Sequence, residues 1–364
     1  MSEFEQKQSA IQALLEKHQL DAVLLKKVSS FAWATCGAAS YVATATTNGD
    51  SQLLITRSGR YLISNNIEIT RLEKEDGLSR QDWEFHIAPW YQANPALDKL
   101  TGGLRLGADG PQAGALDLGD EVARLRSKLL PEEHERFRKL CRLTAEAMEA
   151  TVHTVRPGQT EYEIAARLGS ESQQLGIQPI VLLIASDRRI FDHRHPLPTG
   201  KKVEHYAMLI SCCRYKGLVS SNTRLIHFGR LPEEIRHKAD VLAKVDATFI
   251  EYTRPGMAEA EIFHKAQEAY AEAGYPDEWQ FHHQGGPAAY ESREWVTTPS
   301  SKDVVSLGQV YAWNPSIAGT KSEDTILVGS SGNEVLTASS NDWPMITVEA
   351  GGKTYRRPDI LEII

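Results

Sequence analysis

Groups able to move protons or grip charged ligands gather in four short stretches of otherwise apolar, strand-like sequence. "FDHRHPLPTGKKVEHY" carries Asp192, His193, Arg194 and His195. "FHHQGGPAAYESREW" carries His282, His283, Gln284, Tyr290, Glu291, Arg293 and Glu294. "AWNPSIAGTKSEDTILV" carries Asn314, Glu323 and Asp324. The fourth, "MLISCCRYKGLVSSNTRLIHFG", reads as two strands turning at Lys216-Gly217, with Ser211 and Asn222 eleven residues apart. A folded domain rarely buries so many ionisable groups unless they are paired or used. Histidine gives and takes protons near neutrality, and a neighbouring carboxylate tunes it. Arginine offers a planar fork to a carboxylate of the protein or of a ligand.

Each cluster has a plainer reading. His193 or His282 alone suits a hydrogen-bonded structural residue, and Gly285-Gly286 suits a tight turn or bulge. It makes a poor phosphate loop, because no helix-opening Lys-Ser/Thr follows. Glu291, Arg293 and Glu294 suit a solvated run of ion pairs. Cys212 reads as a small core residue, with no helix N-terminus to lower its pKa.

The elements that must position these groups follow from periodicity. Residues 1–130 alternate a helical stretch, "EFEQKQSAIQALLEKHQL", with the β-rich runs "AVLL", "SYVATATT", "SQLLIT" and "RYLISN". Turn signals at Asn48-Gly49-Asp50 and Ser58-Gly59 separate them. This predicts a smaller α/β domain around a mixed sheet. Pro131 opens a long helix with acids in its first turn, which "RPGQ" ends, so a second domain is expected over 131–364. That domain carries an internal repeat: "RPGQTEYEIAARLGSESQQLG" and "RPGMAEAEIFHKAQEAYAEAG" share Arg-Pro-Gly, two Glu, an Ile and a terminal Gly in register. Duplicated helix–helix–hairpin units predict a pseudo-two-fold α+β domain with a site where its halves meet.

Composition narrows the functional classes. With 41% hydrophobic and 24% charged residues over 364 positions, the chain is long enough for one large or two ordinary globular domains. The net charge of −8, without a basic stripe, argues against a nucleic-acid partner. No apolar run approaches a membrane span, and the N-terminus lacks a signal-peptide core. Cys36, Cys141, Cys212 and Cys213 follow no disulfide or metal-knuckle spacing, which suits a reduced, cytoplasmic protein.

The order of these segments resembles the creatinase / Xaa-Pro aminopeptidase / methionine aminopeptidase superfamily over about residues 10 to 345. The resemblance implies a pita-bread catalytic domain behind a creatinase-type N-terminal domain, and a homodimer. In the family's metallopeptidases two aspartates, a histidine and two glutamates hold two metal ions. Carried onto this chain, those positions fall on Ser211, Asn222, His283, Asn314 (before Pro315) and Glu323 (in "SEDTILV"). A further family histidine falls on Tyr290. Three carboxylates are thereby replaced by neutral groups, and a pair of divalent ions needs charged oxygens to balance and bridge it. No metal and no cofactor is expected.

Two readings follow. One is a metal-free enzyme similar to creatinase, hydrolysing a C–N or amide bond of a small charged metabolite. The resemblance makes His195 its general acid and base, with Glu323 and His283 beside it and Glu323 holding a substrate N–H. Arg194, Arg224 or Arg293 would clamp a carboxylate, and Asn222, Tyr290, Glu291 and Asn314 would line the site. Creatinase carries a glutamate near the position of Asn222, so the substrate is expected to differ from creatine. The other reading is an inactive relative that keeps the cleft to bind a peptide, metabolite or protein. A residual Xaa-Pro metallopeptidase is the third and least supported.

Overall fold

The computed structural model describes residues 1–364, which divide into two compact units. Met1–Glu132 with Lys216–Leu218 form the first; Glu133–Tyr215 with Val219–Ile364 form the second. The first unit is a six-stranded mixed sheet in the order β4-β3-β2-β1-β5-β6. Its strands are β1 (Ala22–Lys27), β2 (Asn48–Thr56), β3 (Arg60–Asn65), β4 (Glu84–Ala88), β5 (Leu106–Ala108) and β6 (Ala115–Asp117). Helices α1 (Glu3–Lys17), α2 (Val28–Ala34), α3 (Ile69–Lys74), α4 (Ala96–Thr101) and α5 (Gly119–Arg126) accompany it. One expectation fails here. "SYVATATT" forms no strand, and the supposed turn Asn48-Gly49-Asp50 lies inside β2. Asp50 N donates to the Ser40 carbonyl at 2.6 Å, and a side chain at Gly49 would strike Ser40. Glycine is therefore a close-approach residue there rather than a turn former.

The second unit opens with α6 (Pro131–Val152), whose proline occupies the first helical position where its missing N–H costs nothing. It continues through α7 (Glu161–Gln174), β7 (Gln178–Ser186), α8 (Arg188–Asp192), β8 (Tyr206–Tyr215) and β9 (Leu218–Phe228). Then follow α9 (Glu233–Tyr252), α10 (Glu259–Glu272), β10 (Gly285–Ala288), β11 (Val310–Trp313), β12 (Ser316–Ile317) and β13 (Thr320–Lys321). The chain ends through β14 (Asp324–Leu327), β15 (Glu334–Val335), β16 (Met345–Ala350), β17 (Lys353–Pro358) and β18 (Leu361–Ile363). Two four-stranded sheets, β18-β9-β8-β7 and β10-β11-β14-β15, form its framework.

The repeat is visible in matched backbone bonds. Gly158 N donates to Val203 O and Glu161 N to Lys201 O, at 2.8 and 3.0 Å. Gly256 N donates to Val305 O and Glu259 N to Asp303 O, at 2.9 and 3.0 Å. Each Arg-Pro-Gly segment thus clips the start of its helix to a loop 40 to 49 residues further on. The pseudo-two-fold α+β architecture follows from this duplication.

The β7–β9 sheet sorts its side chains strictly by the two-residue period of a strand. Leu182, Ile184, Ala207, Leu209 and Ile226 pack with Met148 and Val152 of α6 and Ile164 and Leu168 of α7. Leu183, Ala185, Met208, Ile210 and Leu225 pack in a separate cluster with Ile190, Ile235 and Ala239. One face therefore meets α6 and α7, and the other meets α8 and α9. The hairpin turn expected at Lys216-Gly217 is present, with φ of 50° and 81°, the left-handed pair that matches strand twist.

Candidate active site

The face of the hairpin decides which residues can act. Cys212 and Ser221 stand opposite one another, Sγ to Oγ 3.2 Å, on the face away from α6 and α7. Thr223 shares that face and donates to Glu323 Oε2 at 2.7 Å, while its N–H donates to the Glu323 carbonyl. Thr325 accepts from Ser221 N and donates to Ser221 O, at 3.0 and 2.9 Å, stitching the two sheets together.

Ser211 and Asn222 lie on the opposite face. Ser211 Oγ donates to Asn222 Oδ1 at 2.7 Å, and their same-face neighbours bond to the helices: Ser220 to Thr144 of α6, Cys213 to Ser172 of α7. The expectation that Ser211 and Asn222 line the site is thus corrected. A shift of one residue along a strand moves a side chain to the other face. The hairpin pair facing Glu323 is Cys212 and Ser221, nine residues apart rather than eleven.

Glu323 is the electrostatic centre. It is 3% exposed, and Arg293 Nη2 donates to its Oε1 at 3.0 Å while Lys321 Nζ lies 3.3 Å from Oε2. Burial alone pushes this carboxyl up, but Lys321, Arg293 and the Thr223 hydroxyl outweigh it and hold it down at about 2. Its oxygens already carry three donors, so the expected role of holding a substrate N–H gives way to one of fixing two cations. Arg293 also donates to Ser221 Oγ at 3.1 Å. The pKa of Cys212 is driven up to about 11 by burial and then by the Glu323 charge, so it is no nucleophile.

Three imidazoles line the rim. His195 Nε2 and His282 Nε2 are 3.1 Å apart, and one ring nitrogen from each of His195, His282 and His283 lies within 4.8 Å of the other two. Burial first, then Lys321, presses His195 below its ordinary value, with Glu323 pulling the other way. Burial followed by Arg293 and Lys321 brings His283 to about 4, and His282 is lowered further still, chiefly by burial. All three are neutral at pH 7. Their spacing could hold one ion, but the two cations that depress their pKa values would oppose it.

The repeat explains how these groups arrive. Glu161, fully buried at the start of α7, accepts from Ser186 N and Oγ and from Thr199 N and Oγ, and pairs with Arg189. It thereby ties down the segment that carries His195. Glu259, its counterpart at the start of α10, accepts from Trp295 Nε1, Thr297 Oγ1 and Tyr311 OH at 3.0, 3.0 and 2.8 Å. It ties down the loop that carries Arg293. Gly285 and Gly286 are neither turn nor phosphate loop: they form β10, and a Cβ on Gly286 would sit 2.4 Å from the Trp295 carbonyl.

Other expected site residues are engaged elsewhere. Arg194 pairs with Glu278 and donates to Ser316 Oγ. Arg224, 2% exposed, is bound to Asp324, Thr337 O and Ser339, in a buried network that Arg357 extends to Asp246. Arg224 is thereby unavailable as a substrate clamp, whereas Arg194 stays beside the imidazoles, its Ser316 partner lying 3.2 Å from His282 Nδ1. Tyr290 is buried and donates to Glu133 at 2.6 Å, and Glu291 lies half-buried in the loop after β10. Asn314, 2% exposed, stands one step beyond the Trp313–Asp324 pair of the β11–β14 ladder, as a cross-strand neighbour of Glu323. Lys321 was missed by sequence reading. Its signal was its place two residues before Glu323, which a strand turns to the same side.

Residues 135–330 match the model of metallopeptidase family M24. An uncharacterized peptidase of Staphylococcus aureus (strain MW2) is 26% identical over 230 residues, covering 61% of this chain and 65% of the relative's length. The prolidase from Pyrococcus horikoshii OT3 superposes with a TM-score of 0.78 at 21% identity, over 93% of this chain and 99% of that one. The Xaa-Pro dipeptidase from Bacillus anthracis does so with a TM-score of 0.79 at 18% identity, over 99% and 100%. These two likenesses establish the fold. With the family model matching over half its length, and the duplicated helix–hairpin units that frame the site, the chain belongs to metallopeptidase family M24.

Proposed function

We propose that this chain is a metal-independent hydrolase acting on a C–N or amide bond of a small charged metabolite, with His195 as general acid and base. The observation that carries the reading is the clamp of Arg293 and Lys321 on Glu323. The donor set does not fit the family's two-metal centre. On the site face the hairpin offers Cys212 and Ser221 rather than carboxylates, Asn314 is neutral, and the remaining carboxylate is already neutralised by two buried cations. A hard divalent ion would meet repulsion where it needs charged oxygens.

His195, neutral at pH 7 and open to solvent, takes a proton from water as that water attacks the substrate carbon, then returns it to the leaving nitrogen. Arg293 and Lys321 supply fixed positive charge where a metal ion would otherwise stabilise a developing oxyanion. His283 flanks His195, with ring centroids 5.4 Å apart. The resemblance carries with it a homodimer, which light scattering on the purified chain would test.

Dipeptides, including Xaa-Pro, and N-carbamoyl and guanidino acids should be assayed with and without EDTA or added Mn²⁺, alongside elemental analysis. The expected result is chelator-resistant turnover, no stoichiometric metal, and a loss of roughly a hundredfold or more in His195→Ala. Turnover that needs metal would return the chain to metallopeptidase chemistry. Saturable binding without turnover across the series would make it a binding protein.

A further inference from the structure

His282 is a buried histidine that the proposed reaction leaves unused. It is 6% exposed, and both of its ring nitrogens have partners. Nε2 lies 3.1 Å from His195 Nε2, and Nδ1 lies 3.2 Å from Ser316 Oγ. Ser316 Oγ also accepts from Arg194 Nη1 at 3.3 Å, and Arg194 is held by Glu278. A second set of bonds fixes the backbone that carries the ring. Gln284 Nε2 donates to the His282 carbonyl at 2.6 Å, Gln284 Oε1 accepts from Tyr270 OH at 3.0 Å, and Tyr270 OH accepts from Ser316 N at 3.0 Å. His282 and Ser316 are thereby tied from both sides, and the buried network holds the imidazole against His195. A histidine that only filled the core would spend both nitrogens there. This one spends Nε2 on an exposed residue.

We infer that His282 is a positioning residue for His195: it holds the Nε2 edge of that imidazole and leaves Nδ1 as the nitrogen that exchanges protons with water and substrate. The inference rests on the proposed role of His195 as acid and base. Two nitrogens sharing one hydrogen bond need one donor and one acceptor. Were His282 the donor, neutral His195 would carry its proton on Nδ1 and keep no free lone pair to act as a base. With His195 as donor, its Nε2–H meets the His282 lone pair and Nδ1 stands free. The His282 proton then sits on Nδ1 and goes to Ser316 Oγ, whose two lone pairs serve His282 and Arg194. This polarity survives the reaction. The attacking water gives a proton to His195 Nδ1 as its oxygen bonds the substrate carbon, and that proton passes to the leaving nitrogen as the C–N bond breaks. Nε2–H stays on His195 throughout, and its bond to His282 strengthens while the ring is charged. His282 neither gains nor loses a proton.

The test is ¹⁵N NMR of the full chain labelled on histidine, which tells a protonated ring nitrogen from one with a lone pair. The signals lost in His195→Gln and His282→Gln assign the two rings. His195 should carry its proton on Nε2 and His282 on Nδ1. His282→Leu should let His195 populate both tautomers and slow turnover roughly tenfold or more, in kcat rather than KM. His282→Gln should recover most of that rate, because its side-chain carbonyl can accept from His195 Nε2. His195 protonated on Nδ1 in the unaltered chain would overturn the inference, as would a His282→Leu variant with the wild-type tautomer and kcat. Should the His282 variants fail to fold, the His195 tautomer of the unaltered chain decides alone. The two readings fail separately. The expected tautomers without turnover of any substrate would sink the hydrolase and leave the His195–His282 contact as drawn. Turnover with the opposite tautomer would sink the positioning role and leave the hydrolase standing.

Discussion

Cys212 and Ser221 face one another across the β8–β9 hairpin, 3.2 Å apart, and this pair shares its face with Glu323. Ser211 and Asn222 make the same kind of contact, at 2.7 Å, on the face turned to α6 and α7. Both pairs are polar, small and directly opposed. Only the packing of the sheet tells which of them belongs to the site.

Restoring acids at Ser211 and Asn222 should therefore not rebuild a metal centre. Ser211→Asp and Asn222→Asp place carboxylates against α6 and α7, and each should cost about 3 kcal/mol or more. Thermal melts and elemental analysis of the double variant would check this. A stable double variant carrying two Mn²⁺ ions would show that the face had been misassigned.

Glu323→Gln should destabilise the fold by about 3–5 kcal/mol, because Arg293 and Lys321 lose the one charge that balances them. Adding Lys321→Met to that variant should recover part of the loss in urea denaturation. If Glu323→Gln unfolds at the wild-type midpoint, the two cations have another counter-charge.

Stability should fall as pH drops, in two windows. The unfolded chain takes up a proton on His283 near its ordinary 6.5, whereas the folded chain resists until about 4. The unfolded state thus binds more protons across that range, and stability is lost from about pH 6.5 down to about 4. Glu323, ordinarily 4.5 and held at about 2, contributes fully above pH 4.5 and loses that contribution as pH falls through 2. Urea midpoints between pH 3 and 7.5 would trace both, and His283→Gln should flatten the upper window. An unchanged slope in that variant would move the upper window to other groups.

Gly286→Ala should displace the loop that carries Arg293. The residue has φ of +157°, and its new methyl would meet the Trp295 carbonyl, so a cost of about 1–3 kcal/mol is expected. Binding of the ligand that the wild-type chain takes should weaken along with the melting temperature. A variant with wild-type stability would mean that the loop gives way freely.

Much of the fold was legible in the residues. The in-register repeat, with Arg-Pro-Gly and its following glutamates, specified duplicated helix starts. The strand runs around Lys216-Gly217 specified the hairpin and its turn. That His195, His282, His283, Arg293, Asn314 and Glu323 belong to segments dense in polar groups was also legible, because polar groups within strand-like segments need partners. Local backbone chemistry and hydrophobic period suffice for that much. Gly49 shows the limit: a residue typed for a turn lies in a strand, because a distant serine approaches its backbone.

What only the tertiary structure decided is which of these groups meet. Strand side chains alternate with a period of two, so spacing along the chain leaves the face open until packing chooses it, and α6 and α7 chose the face of Ser211 and Asn222. Arg194 and Arg224 looked as free as Arg293 until their partners, Glu278 and Asp324, came from the far end of the chain. Lys321 became a site residue only once Thr223 and Glu323 had joined the two sheets. Long-range ion pairs and sheet facing depend on where distant segments dock, and no local pattern encodes that.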